Sequence, residues 1–198
     1  MSTAPVLDPA RTALLVLDYQ PVVLAALPEG EGRALLGRME RAVAGARARG
    51  VTIAYVRTAF TTADWDAVPA ANKSFAPLAR HRVLHHEDPA TAVHERLAPR
   101  DGDLTVRKTR HGALRATGLD RRLRERGITT LVVSGISTSG AVLSTVTDAA
   151  DRDWRLYVLS DGVADPDTAA HDVVLRRVLP ARAHITDTAG LHALLGSG

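Results

Sequence analysis

The sequence predicts an α/β fold: a three-layer α/β/α sandwich on a six-stranded, mostly parallel sheet. Two observations carry this. Six short apolar runs are continuous rather than alternating, the pattern of strands buried on both faces. Between them lie segments whose apolar residues recur at helical spacing, the arrangement that covers a parallel sheet from both sides. The 198 residues suit one domain, 1–198, and a chain of this length buries about 70% of its surface without needing disulfides or structural metals.

The elements follow in order. The first strand is "TALLVLD", Thr12 to Asp18. Leu35, Leu36, Met39, Val43 and Ala46 then mark a helix that Gly50 closes just before the second strand, "VTIAYVR", Val51 to Arg57. The stretch from Thr58 to Asp103 is different: it is rich in proline, holds Trp65 and half of the histidines, and shows only short periodic pieces. An irregular insertion of this length is more often functional than idle, and it is expected to cover a site. Strands resume with "LTVRK" (Leu104 to Lys108), "TTLVVSG" (Thr129 to Gly135), "RLYVLSD" (Arg155 to Asp161) and "AHIT" (Ala183 to Thr186). Helices are expected at Thr117 to Arg126, Ser139 to Arg152, Thr168 to Leu179 and Thr188 to Leu195, with "GSG" at the C-terminus as a frayed end.

Composition removes several function classes. The chain has no cysteine, so disulfides, thiolate metal sites and thiol catalysis go together. The start lacks a basic n-region, and no run of about 18 apolar residues occurs, so a cytoplasmic protein with no membrane partner is expected. The net charge is +3, but the arginines are spread along the chain, over four of the five expected helices, and 22 acids offset them. The one cluster, Arg121 to Arg126, sits among Leu119, Leu123 and Ile128 as a solvated helix face does, and aromatics at 4% leave little to stack on bases. No nucleic-acid partner is expected.

In an open parallel sheet, ligands bind beyond the carboxyl ends of the strands, where the strand order reverses. Three strand ends carry unusual residues. Asp18 leaves the first strand straight from an apolar run; a carboxylate there can be tuned for proton transfer or can cap the next segment. Lys108 ends the third strand and is one of two lysines, with Lys73, in a chain that otherwise uses arginine. Lysine offers a compact charge whose pKa moves readily on burial. After the fourth strand, Ser134 to Gly140 holds six Gly, Ser and Thr residues in seven positions. Gly135 permits a sharp turn, and Thr138 or Ser139 can cap the helix that follows, whose N-terminus presents free N–H groups to an anion. An acid, a base and an anion cradle would then meet at one sheet edge. Arg57, Trp65 and His111 are further candidates for the pocket lining, and Arg107 lies near the same edge. There is no GxGxxG, GxxxxGK[ST] or HExxH, and "HRVLHHED", with His81, His85 and His86, reads as a surface turn, so neither cofactor nor metal is expected.

The segments "ALLVLDYQ", "VRKTRHGAL" and "TGLDRRLRERGITTLVVSGISTSGAVLSTVTDAADRDWRLYVLSDGVAD" resemble, in order and spacing, the isochorismatase-like hydrolase superfamily. The resemblance implies a Rossmann-like six-stranded parallel sheet and a small-molecule substrate, and suggests a homodimer or higher homo-oligomer. The family's amidohydrolases use an Asp, a Lys and a Cys; by matching motif these fall on Asp18, Lys108 and Ala141, so the nucleophile is replaced by a methyl group. The resemblance also implies a cis peptide between Ile136 and Ser137, an oxyanion cradle from the N–H groups of Ser137 and Ala141, and substrate contacts at Ser137 and Gly140. The metal-binding Asp-x-His of nicotinamidases is missing, with Asp66 in place of the first histidine. The expected activity is therefore cysteine-independent hydrolysis of a small anionic or cyclic metabolite. A vinyl ether protonated by Asp18, with Lys108 holding that acid, is the leading case. A catalytically inactive metabolite-binding protein and a C–N hydrolase with another nucleophile are the alternatives.

Overall fold

The computed structural model describes residues 6–196; the last two residues of the expected frayed C-terminus lie outside that range. Six strands, β1 Thr12–Leu17, β2 Thr52–Thr58, β3 Leu104–Lys108, β4 Thr130–Ile136, β5 Arg155–Ala164 and β6 His184–Thr186, form one sheet in the order β3-β2-β1-β4-β5-β6. Every pairing is parallel, so the sheet is wholly rather than mostly parallel. The order runs outward in both directions from β1 and β4, which places the topological switch between those two strands.

β1 explains why the apolar runs do not alternate. Its six residues are all buried, yet they serve two different cores. Ala13, Leu15 and Leu17 pack with helices α2 (Leu119–Glu125) and α3 (Leu143–Ala150) and with Val174 and Leu175, which directly follow α4 (Thr168–Val173). Leu14 and Val16 pack with α1 (Glu31–Ala48) and α5 (Thr188–Leu194). Three layers follow directly, because successive side chains on a strand point to opposite faces and both faces are covered. The buried residues of α1, Leu35, Leu36, Met39, Ala42, Val43 and Ala46, form the expected helical stripe.

Two expected helices begin or continue irregularly. The segment from Ser139 opens as a π-turn, Thr138–Val142, before α3, and α4 passes into a second π-turn, Val174–Val178, ahead of Pro180. The insertion contains two short helices, Thr62–Asp66 and Ala76–Arg80, and two 3-10 turns, Pro89–Thr91 and Glu95–Leu97. It starts one residue later than expected, because Thr58 is paired with Lys108 as the last residue of β2. Among the described residues no helix is long and apolar enough to cross a membrane.

The switch point requires a close approach of β1 and β4. A Cβ at Gly135 would lie 2.6 Å from the Leu17 Cβ and 2.9 Å from its carbonyl oxygen, so no side chain fits between the two strand ends. Gly135→Ala is expected to cost roughly 1–3 kcal/mol by overpacking and to displace the residue after Leu17, Asp18. Urea unfolding of the variant measures this.

Candidate active site

Asp18 leaves β1 with its N–H still donating to the Val56 carbonyl, 2.8 Å away, and then turns into the left-handed region with φ 57°. Aspartate is one of the few residues other than glycine that adopts this conformation readily. The two residues that follow hold the turn in place. The buried Tyr19 hydroxyl donates to the Gly162 carbonyl at 2.6 Å, and burial raises its pKa. Gln20, wholly buried, uses its amide as a strand would use its backbone: Oε1 accepts from the Thr58 N–H, and Nε2 donates to the Thr58 and Thr91 carbonyls. The "DYQ" run thus pins Asp18 between β5 on one side and β2 on the other.

Across β2, Lys108 meets Asp18. Its Nζ lies 2.7 Å from Asp18 Oδ2, and the side chains are only 3% and 5% exposed. Thr58 stands between them: its hydroxyl accepts from Lys108 Nζ at 2.7 Å and donates to Asp18 Oδ1 at 2.8 Å. Both carboxylate oxygens therefore accept from a neighbour. A buried ion pair tolerates desolvation only when such bonds satisfy its remaining donors and acceptors. Sequence reasoning did not single out Thr58 or Gln20; the β2–β3 register that sets Thr58 opposite Lys108 is the signal that finds Thr58.

The turn after β4 forms the other wall. The Ile136–Ser137 peptide is cis, as the resemblance implied. The capping residue is Ser137, whose hydroxyl accepts from the Gly140 N–H, rather than Thr138 or Ser139. Those two reach outward: Thr138 Oγ1 meets His171 Nδ1 at 2.8 Å, and Ser139 donates through both N–H and hydroxyl to Asp165 Oδ2. Asp165, itself buried, also takes the Asp167 N–H. Ala141 is 4% exposed and is the fourth residue of the turn Thr138–Val142, with no polar side-chain atom. Gly140 lies under His111: a Cβ there would sit 3.3 Å from His111 Nδ1 and 2.6 Å from Ser137 Oγ. Burial, and then the Lys108 charge, lower the His111 pKa, with Asp18 pulling the other way.

Arg57 and Trp65 are placed differently from the pocket lining first expected. Arg57 Nη1 donates to the carbonyls of His86 and Thr91 and to the Thr91 hydroxyl, so it braces the insertion. Arg107 likewise bonds the Ala59 carbonyl and pairs with Asp64 at 2.5 Å. Trp65 packs with Phe60 and Phe75 in a small core of the insertion and donates from Nε1 to the Val83 carbonyl. Three residues of the histidine-rich stretch, His85, His86 and Glu87, can bring one ligand atom each within 4.8 Å of one another; His81 is not among them.

Two measurements follow. Lys108→Met leaves the buried Asp18 charge uncompensated and is expected to cost about 3–5 kcal/mol, whereas Asp18→Asn with Lys108→Met should recover a large part of that loss; urea unfolding of the two variants compares them. His111 is pulled below its unfolded value of about 6.5, so the unfolded chain takes up its proton first as pH falls. Its contribution to stability is present above about pH 6.5 and is lost as pH drops through the folded value. His111→Gln should therefore flatten the decline of the urea midpoint below pH ~6.5.

Known proteins place this arrangement. An isochorismatase domain model matches residues 12–190. Ureidoacrylate amidohydrolase RutB of Methylobacterium radiotolerans is 32% identical over 96% of this chain and 81% of its own. An isochorismatase family protein from Burkholderia thailandensis superposes with a TM-score of 0.83 at 27% identity, covering 98% of this chain and 100% of that one. N-carbamoylsarcosine amidase from Thermoplasma acidophilum does so with a TM-score of 0.70 at 25% identity, covering 90% and 96%. The sheet order, the cis turn and the match across nearly the whole length converge: the chain belongs to the isochorismatase family of hydrolases.

Proposed function

We propose that this protein hydrolyses a C–N bond of a small ureido or amide compound with water, not a thiol, as the nucleophile. The observation that carries the reading is the pairing of an intact Asp18–Thr58–Lys108 cluster with a methyl group at Ala141. Nothing at that position can form a covalent intermediate, and in this reading the attacking oxygen comes from water. Asp18 takes the water's proton as the oxygen bonds to the carbonyl carbon. The N–H groups of Ser137 and Ala141 receive the negative charge that develops on the carbonyl oxygen. Asp18 then returns the proton to the departing nitrogen as the C–N bond breaks, which balances the cycle.

Hydrogen-bond roles favour this over the vinyl-ether reaction suggested by the sequence. Protonating an enol ether requires Asp18 to arrive carrying a proton, yet one of its oxygens faces an ammonium group and the other a hydroxyl donor. A carboxylate so partnered is built to accept. The names of the similar proteins support the same side: one is a ureidoacrylate amidohydrolase and another an N-carbamoylsarcosine amidase.

A panel of ureido acids, primary amides and vinyl ethers offered to the purified protein tests the proposal. Turnover of a ureido or amide compound is expected, with kcat reduced by about 10²–10⁴-fold in Asp18→Asn and changed only a few-fold in Ala141→Gly. Turnover of vinyl ethers alone would overturn the bond assignment, and unchanged kcat in Asp18→Asn would overturn the role of the base.

A further inference from the structure

The candidate site is closed: Asp18, Lys108 and Ala141 are each no more than 5% exposed. What closes it is lightly held. From Asp66 to Ala90 the insertion contains a single buried residue, Phe75. This ring rests on the small core of Phe60 and Trp65, with the His111 ring 4.7 Å from it and the Arg110 guanidinium 5.3 Å away. His111 in turn lies over Gly140, beside Ala141. The base of this segment is fastened separately. Trp65 Nε1 bonds the Val83 carbonyl, and Phe60 exchanges backbone hydrogen bonds with Leu84 and His86. At that fastening, Arg82 and Leu84 both adopt left-handed backbone, with φ 47° and 61°, a conformation seen where a chain turns sharply.

We propose that Phe75, seated against His111, is the residue that determines which molecules reach Asp18 and Ala141. A segment with one fully buried anchor, whose other apolar residues Val68, Leu78, Ala79 and Leu84 are only partly buried, opens locally without disturbing the rest of the fold. The sheet and the three-strand cluster stay in place, because Arg57, Arg107 and Gln20 tie the remainder of the insertion to β2 and β3. The space released when Phe75 withdraws is about that of one aromatic ring. The tilted imidazole and the nearby guanidinium favour an aromatic side chain at this position. This inference rests on the site proposed above, since it concerns access to that site.

The absence of cysteine supplies a clean probe. Ala141→Cys introduces a single thiol at the site, and its rate of reaction with a disulfide reagent such as DTNB reads access without requiring turnover. At fixed pH the rate in Phe75→Ala/Ala141→Cys is expected to exceed that in Ala141→Cys by tenfold or more, and Phe75→Trp should not raise it. Leu97→Ala/Ala141→Cys, which opens a cavity in the α1-side core, controls for general loosening and should leave the rate unchanged. If Phe75→Ala fails to fold, Arg110→Ala removes the outer cation alone and should still raise the rate several-fold. Equal rates with and without Phe75 overturn the inference, as does an equal rise in the Leu97 control. These outcomes are independent of hydrolysis: unchanged labelling in an active enzyme sinks only this proposal, and fast labelling in an inactive one sinks only the reaction.

Discussion

The pair of Asp18 and Lys108 is the constraint on which the surrounding structure depends. Two opposite charges are almost wholly withdrawn from water, and such a pair is costly unless its geometry is close and every remaining donor and acceptor is used. The charges arise on β1 and β3, which are not neighbours, and β2 lies between them. The pair spans β2 by direct contact, and β2 ends in a hydroxyl at the level of Lys108 that bonds both charged groups. A shift of one residue in either pairing would send Thr58 to the other face of the sheet. The register of three strands is thus fixed chemically at its carboxyl end as well as by the apolar residues along its length.

Gln20 extends the same logic. Its side chain completes both backbone hydrogen bonds of Thr58, which would otherwise be unpaired beyond the end of β1. An amide is the one side chain carrying both a donor and an acceptor in the geometry of a peptide, so glutamate or lysine in its place would leave a buried group unsatisfied. The turn after β4 is held with comparable care. Asp165 takes three donors and Thr138 meets His171, and none of these bonds involves the side chain at 141. The hydrogen bonds that shape the turn therefore do not depend on the side chain at 141.

The strands, both covering layers and the strand-end positions of Asp18 and Lys108 were legible in the sequence, because continuous apolar runs and strand-end polar residues are local signals; Ala141 came only from the family resemblance. Thr58 was not legible, since a threonine at the edge of an irregular insertion has no local mark; it matters only through pairing with β3. Asp165 and His171 were hidden for the same reason, lying 26 and 33 residues from the groups they hold. Arg57 and Trp65 show a second limit of local signals. Both stand near the correct sheet edge, but a guanidinium beside a long insertion finds carbonyls to bind, and an indole beside two phenylalanines finds a core. Position along the chain identified the edge and could not tell which side chains turn toward the site.

The choice of lysine at 108 follows from the same geometry. The chain has only two lysines, and Lys73 is exposed in the insertion, so the habit of using arginine breaks at one buried position. Here the cation must touch a hydroxyl and a carboxylate oxygen at once, each at 2.7 Å, with 3% of its side chain exposed. Guanidinium presents its donors as a flat fork, suited to two oxygens of one carboxylate, and needs room for the plane. The fork would take both Asp18 oxygens and displace Thr58 from Oδ1. Ammonium places its donors at a point, leaves Oδ1 to the threonine and holds the carboxylate by one edge. What remains of Asp18 is then directed by two partners rather than enclosed by one, which is the arrangement a base needs if it is to receive a proton from a third.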